Sequence, residues 1–203
     1  MAYFPEAEQI GGTNRLPVIV TRNFVLYPGR TVPLAINRRQ SIEALSQASE
    51  KHQGKVIIVA QKKESGDGSL VAAEDLYPVG VVATIEKKTG DAKRGYQLIV
   101  TGHERVTLRN IGGGEACLFA DYSDFPDFEL CDDATRKALL ANARLLSREI
   151  LQLVPVDTSQ VEALLDSVSD LGSFMSIVIE NLDLSMAEKQ SILAIDGEKN
   201  RIL

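Results

Sequence analysis

The spacing of apolar residues changes once along this chain, near Pro126, and that change does most to limit what it can fold into. Before it, apolar residues come in short runs rich in β-branched side chains, bounded by Gly, Pro and polar turns, which is how strands read. After it, they recur at intervals of three and four, which is how amphipathic helices read. The pattern predicts an α+β chain: a loose tail over residues 1–15, a β-rich, partly closed, barrel-like lobe over 16–125, and an all-α four-helix bundle over 126–203.

In the first part, Leu16 to Val20 reads as an edge or first strand because of its early proline. Tyr27-Pro28-Gly29 is a turn, with Pro presetting φ and Gly accepting positive φ. Lys55 to Ala60, Val79 to Ile85, Tyr96 to Thr101 and a run near Ala116 to Tyr122 read as strands. Gly66 to Ser69 is a loop, and Lys87 to Gly95 is a long hairpin turn. One helix interrupts them, where Ile42, Leu45 and Ala48 share a face.

In the second part, Asp132 and Asp133 put negative charge at a helix start. Leu139, Leu146, Ile150 and Leu153 follow helical spacing, widened by Leu140, Leu151 and Val154, until Pro155 stops the helix. Ser159 with Glu162 fits a capping box ahead of Val161, Leu164, Leu165 and Val168. Leu171, Phe174, Met175, Val178 and Leu182 repeat the pattern, with Phe174 and Met175 read as core. Ser185 with Glu188 is a second capping box, before Ile192, Leu193 and Ile195.

Charge and composition narrow the function. The chain is 44% hydrophobic, enough for a real core, and its net charge is −6. A protein that grips phosphate backbones presents a basic face, so nucleic acid is disfavoured as a partner. Residues 1–130 carry 15 basic and 16 acidic side chains, and residues 131–203 carry 7 and 12, so the second half is the more acidic surface. Two cysteines, Cys117 and Cys131, do not make a disulfide framework. No segment reads as a signal peptide or a membrane span. A cytoplasmic location is expected.

No catalytic, metal or cofactor site emerges. Gly54-Lys55 lacks the rest of a phosphate loop, with Ser49 and Val56 at positions that need Gly and a hydroxyl. Gly112-Gly113-Gly114 reads as a turn. Cys117, Cys131, His52 and His103 lack metal-ligand spacing. Glu74-Asp75 and Asp132-Asp133 are adjacent carboxylates that point apart, and they read as caps or solvated faces. Lys87-Lys88 with Lys93-Arg94 forms a basic hairpin tip without an aromatic platform beside it.

The order of short motifs resembles the N-terminal domain of the ATP-dependent Lon protease family. Leu16-Pro17-Val18, Tyr27-Pro28-Gly29 and Pro33-Leu34 come in the family's order. Arg38, Ser41-Ile42 and Ala60-Gln61-Lys62 follow. Then come Asp75-Leu76-Tyr77-Pro78-Val79-Gly80-Val81-Val82-Ala83 and Gly102-His103-Glu104-Arg105. In the helical part, Glu188-Lys189-Gln190, Asp196 and Arg201 are similar to the end of the family's bundle. The likeness runs from Leu16 to the last residue. Val20-Thr21-Arg22 departs from the usual Pro-Leu-Arg, and Tyr27 stands where the family has Phe.

The resemblance implies a PUA-like lobe joined to a helical bundle, ahead of ATPase and Ser-Lys protease modules that this sequence does not contain. It implies capture of unfolded or degron-bearing proteins and support of a hexamer, with self-association left open. ATP and Mg would belong to those other modules, so no cofactor is expected in this chain. The final residues, Glu198 to Leu203, read as a helix stopping mid-pattern, which favours a longer natural chain over a stand-alone Lon-domain adaptor. An RNA-binding barrel is the third reading. The residues expected to touch clients are Arg22, Phe24, Val25, Leu26, Tyr27 and Pro28, because a turn does not easily bury so many large apolar groups and exposed apolar patches mark binding sites; the equal alternative is that Phe24 and Leu26 plug the end of the barrel.

Overall fold

The computed structural model describes residues 14–62, 70–113, 116–126, 132–153, 155, 157–197 and 200–201. The expected tail up to residue 13, the Gly66–Ser69 loop, Cys131 and Val154 lie outside them.

The chain is mixed α/β, with a six-stranded sheet followed by helices. The strands are β1 (Arg15–Thr21), β2 (Thr31–Ile36), β3 (Lys55–Ala60), β4 (Val79–Asp91), β5 (Gly95–Gly112) and β6 (Phe119–Asp124). Helix α1 (Arg39–Lys51) lies between β2 and β3. The strand order is β2-β5-β4-β3-β1-β6, and β6 also pairs with β5. The pairings therefore run through β5, β4, β3, β1 and β6 and return to β5, leaving β2 outside that ring. Among the described residues only β1 and β3 run parallel, from Val18 opposite Ile57 to Thr21 opposite Ala60.

Burial on both faces explains the continuous apolar runs of the central strands. Ile19, Val56, Ile58, Val81 and Ala83 point to one cluster, beneath Ala44, Leu45 and Ala48 of α1. Their neighbours Val18, Val20, Ile57, Val59 and Val82 point to the other. Strand β2 is different: Val32, Leu34 and Ile36 are buried while Thr31, Pro33 and Ala35 are exposed. Such alternation marks a strand covered on one face, and Pro33 is tolerated at the edge, where fewer N–H groups are needed.

The segment read as a long turn at Lys87 to Gly95 is mostly strand. Lys87 pairs with Ile99 and Asp91 with Gly95, so the turn shrinks to Ala92-Lys93-Arg94. Asp91 closes it by accepting hydrogen bonds from the Lys93 and Arg94 amides at 2.8 and 3.0 Å. Residues 86–94 are all exposed, so no apolar alternation reveals this ribbon.

Four helices follow: α2 (Asp133–Gln152), α3 (Ser159–Ser167), α4 (Leu171–Asn181) and α5 (Met186–Leu193). Asp132 caps α2, its side chain accepting from the Thr135 amide. Helix α3 starts differently from expectation. Thr158 is the N-cap without a capping bond, and its hydroxyl donates to Glu162 at 2.8 Å. The capping box of Ser185 and Glu188 is present at α5. Ser185→Ala is expected to cost about 1 kcal/mol, read as a lower urea midpoint at unchanged slope.

The helices do not pack as one bundle of four. Leu140, Leu165, Leu171, Phe174 and Ile177 make a separate core for α2, α3 and α4. Leu193 of α5 instead joins the main cluster of the sheet, and Gln190 donates to the Val79 carbonyl at 2.7 Å. Helix α4 bridges the two parts, with Phe174 and Ile177 in the helical core and Ile179 in the sheet's cluster. Spacing along a sequence gives a helix its apolar face but not the surface that face will cover, which is why α5 was expected in the bundle.

Candidate functional site

Helix α2 carries more apolar side chains than its neighbours can cover. Leu140 is buried, but further along the same helix Leu146 is 58% exposed and Ile150 62%, and Leu153 at its C-cap is 84% exposed. Val161 and Leu164 on α3 and Leu182 at the end of α4 are also exposed. With α5 committed to the sheet, three helices are left with apolar stripes suited to a larger bundle, and part of each stripe stays outside. The result is a groove of about 210 Å³, between Ile150 and Leu151 on α2, Val161 and Leu165 on α3, and Ile177, Val178 and Leu182 from α4. Ser147 and Asn181 are its polar lining residues. An open apolar surface of this kind binds other apolar groups without directional demands.

A second recess of about 250 Å³ lies between the sheet and the helices. Tyr27, Pro28, His103 and Phe125 line one side, and Met175, Ile179 and Ile192 the other. Polar contacts tie its walls together. Arg30 makes a two-pronged ion pair with Glu180, at 3.2 and 2.7 Å. Arg105 donates to the carbonyls of Leu193 and Ile195, each at 2.8 Å, and its guanidinium sits 4.6 Å from the centre of the Phe125 ring. The Tyr27 hydroxyl donates to the Lys189 carbonyl at 2.6 Å. Burial, and then the charge of Glu180, raise the pKa of that phenol, so it keeps the proton it donates.

The residues read from the sequence as a contact patch are divided. Val25, Leu26 and Tyr27 are 4%, 2% and 5% exposed and belong to the main core. The loop folds inward because its backbone is held: Thr21 donates to the Phe24 carbonyl at 2.5 Å, and Gly29, at φ +75°, turns the chain so that its amide reaches the Gly102 carbonyl. Arg22 and Phe24 line a third recess, with Leu34, Asn37 and Arg38. Pro28 is half-buried and lines the recess between the sheet and the helices. A continuous apolar patch over Arg22 to Pro28 is therefore not formed.

Groups able to do covalent chemistry are dispersed. Among the described residues no three His, Cys, Asp or Glu side chains come together as a metal site would need. His103 is exposed and shares a 2.8 Å hydrogen bond with Thr84. Cys117 is buried, and burial with nearby Glu43 pushes its thiol up to about 11, so it is protonated and unreactive at neutral pH. No helix among the described residues is long and apolar enough to cross a membrane.

The helical groove was not picked out from the sequence. Its trace there is the pair Leu145-Leu146, which with Leu139, Leu140, Ile150, Leu151 and Leu153 gives α2 more apolar positions than one packed face holds.

Comparison with known proteins fits this arrangement. The model of the ATP-dependent protease La (LON) substrate-binding domain matches residues 15–203. Lon protease 1 of Bdellovibrio bacteriovorus is 33% identical over 188 residues, 93% of this chain and 23% of that protein. Lon protease of Anaeromyxobacter dehalogenans is 29% identical over 178 residues, 88% of this chain and 21% of that protein. The chain thus spans less than a quarter of the length of these relatives. Among solved structures, the N-terminal domain of Mycobacterium avium complex Lon protease superposes with a TM-score of 0.70 at 21% identity, covering 93% of this chain and 94% of that one. A Lon N-terminal domain protein from Xanthomonas campestris gives 0.59 at 17% identity, with the same coverage.

Proposed function

The chain belongs to the family of ATP-dependent protease La (LON) substrate-binding domains, and from that membership we propose that it captures unfolded or damaged polypeptides on the apolar face of α2, α3 and α4 and presents them to the ATPase and protease modules of a parent Lon enzyme in the cytoplasm. The observation that carries the reading is the exposure of Ile150, Val161 and Leu182 around a groove walled by apolar side chains. Unfolded proteins share little sequence but all expose apolar segments, and a non-directional surface suits so varied a clientele. Each contact is weak, and several copies in a hexamer raise the overall affinity without new contacts.

The loop at Arg22 to Pro28 has a smaller part. Phe24 and Pro28 are open enough to meet a client, whereas Val25, Leu26 and Tyr27 hold the loop in place. We read the strand ring as the PUA-like barrel of this family, acting as a rigid support.

The test is a double substitution, Ile150→Asp with Leu182→Asp. Both side chains are about half exposed or more, so the fold tolerates the change. Binding of a reduced, alkylated protein that does not refold, measured by fluorescence anisotropy, is expected to weaken by about tenfold to a hundredfold. Unchanged binding with an unchanged circular dichroism spectrum would remove the helical face as the capture surface.

A further inference from the structure

We propose that the helical groove selects among unfolded segments by charge, favouring apolar stretches flanked by lysine or arginine and rejecting those flanked by aspartate or glutamate; the inference rests on the client-capture reading above. Residues 132–183 carry four basic and nine acidic side chains. The groove lining itself bears no charge among the described residues, but its shoulders are acidic. Glu149 precedes Ile150 on α2, Glu162 follows Val161 on α3, and Asp183 follows Leu182 just past α4. One step along a helix turns a side chain by about 100°, which sets Glu149 and Glu162 beside the groove instead of in it.

Of the three shoulders, Glu162 is partly balanced, since its charge acts on Arg148 and its carboxylate accepts from Thr158, while Glu149 and Asp183 are exposed. Arg148, next to the lining residue Ser147, is held by both oxygens of Asp166 at 2.7 and 2.8 Å. Arg144 is turned away to the Val168 carbonyl. Glu149 and Asp183 therefore leave the rim of the groove net acidic. A second copy of this chain would bring the same acidic shoulders against them, and like charges facing one another oppose docking. A cationic flank is the complementary occupant. Its attraction acts over about a Debye length, roughly 10 Å at 0.1 M salt, so salt weakens the preference while leaving the apolar contact in place.

The experiment uses the full 203-residue chain and three fluorescein-labelled peptides with one shared Leu- and Ile-rich centre, flanked by lysines, by serines or by glutamates. Anisotropy titrations at low salt are expected to rank them Lys, Ser, Glu, with about a tenfold span in Kd that closes at high salt. Glu149→Gln with Asp183→Asn, exposed and close in shape, is expected to shrink the span several-fold while leaving the Ser-flanked peptide's Kd unchanged. Equal Kd values for the Lys- and Glu-flanked peptides at low salt would overturn the charge selection and leave client capture standing. Failure of all three to bind would overturn both. An undiminished Lys preference in the double variant would place the selecting charges elsewhere and overturn the assignment. So would sedimentation showing a dimer that Ile150→Asp dissolves, since the groove would then belong to a second copy.

Discussion

Arg105→Met is expected to lower stability by about 3–5 kcal/mol, a large part of what holds a domain of this size folded. Arg105 is 7% exposed and projects from β5 to the far side of the interlobe boundary. Its guanidinium meets the carbonyls of Leu193 and Ile195, at and just beyond the end of α5. The last carbonyls of a helix have no partners within it and carry the negative end of its dipole. A strand residue thus caps a helix that comes 88 positions later in the sequence. Methionine keeps the apolar stem but donates nothing, so the buried Leu193 carbonyl loses this donor and the Ile195 carbonyl is left with Arg201, at 3.2 Å. The Phe125 ring, 4.6 Å from the guanidinium, loses a cation over its face as well. Urea denaturation measures the loss, and hydrogen exchange locates it, with α5 amides opening first. A change under about 0.5 kcal/mol would mean that α5 is held by Leu193 and Gln190 without the arginine.

Phe174→Ala is expected to cost a similar amount, about 3–5 kcal/mol, but in a different place. The Phe174 side chain is fully buried at the centre of the small core that joins α2, α3 and α4. Leu140, Leu165, Leu171 and Ile177 pack in the same cluster and lose their contacts with the ring. The sheet has its own clusters and does not depend on this ring. The prediction is therefore an uneven loss: α2 and α3 amides exchange rapidly while β3 and β4 stay protected. Uniform loss of protection across helices and sheet would show that α4 couples the two cores into one unfolding unit.

How far the sequence could be read depended on where each residue's partner lies. The strands at Lys55 to Ala60 and Val79 to Ile85 were legible because burial on both faces leaves a continuous apolar run. Strand β2 passed unnoticed: its alternation is correct, but it is short and holds Pro33. The paired stretch Lys87 to Asp91 looked like a turn because neither face of that ribbon is covered. Helix starts at Asp132 and Ser185 were legible because a cap is a local bond between residues three apart. The placement of α5 was not, since Gln190 meets Val79 across 111 positions. The same limit governed the candidate site. A run of large apolar residues from Phe24 to Tyr27 looks alike whether it faces solvent or the core, and a local pattern does not say which. The exposed stripe on α2 follows from the departure of α5, a long-range event.

That departure bears on how the helices are held to the sheet. Helix α5 is fastened to the sheet through Arg105, Gln190 and Leu193. Helices α2 and α3 share their core with α4, which Ile179 and the Arg30–Glu180 pair moor to the sheet, so α4 is the joint on which their position turns.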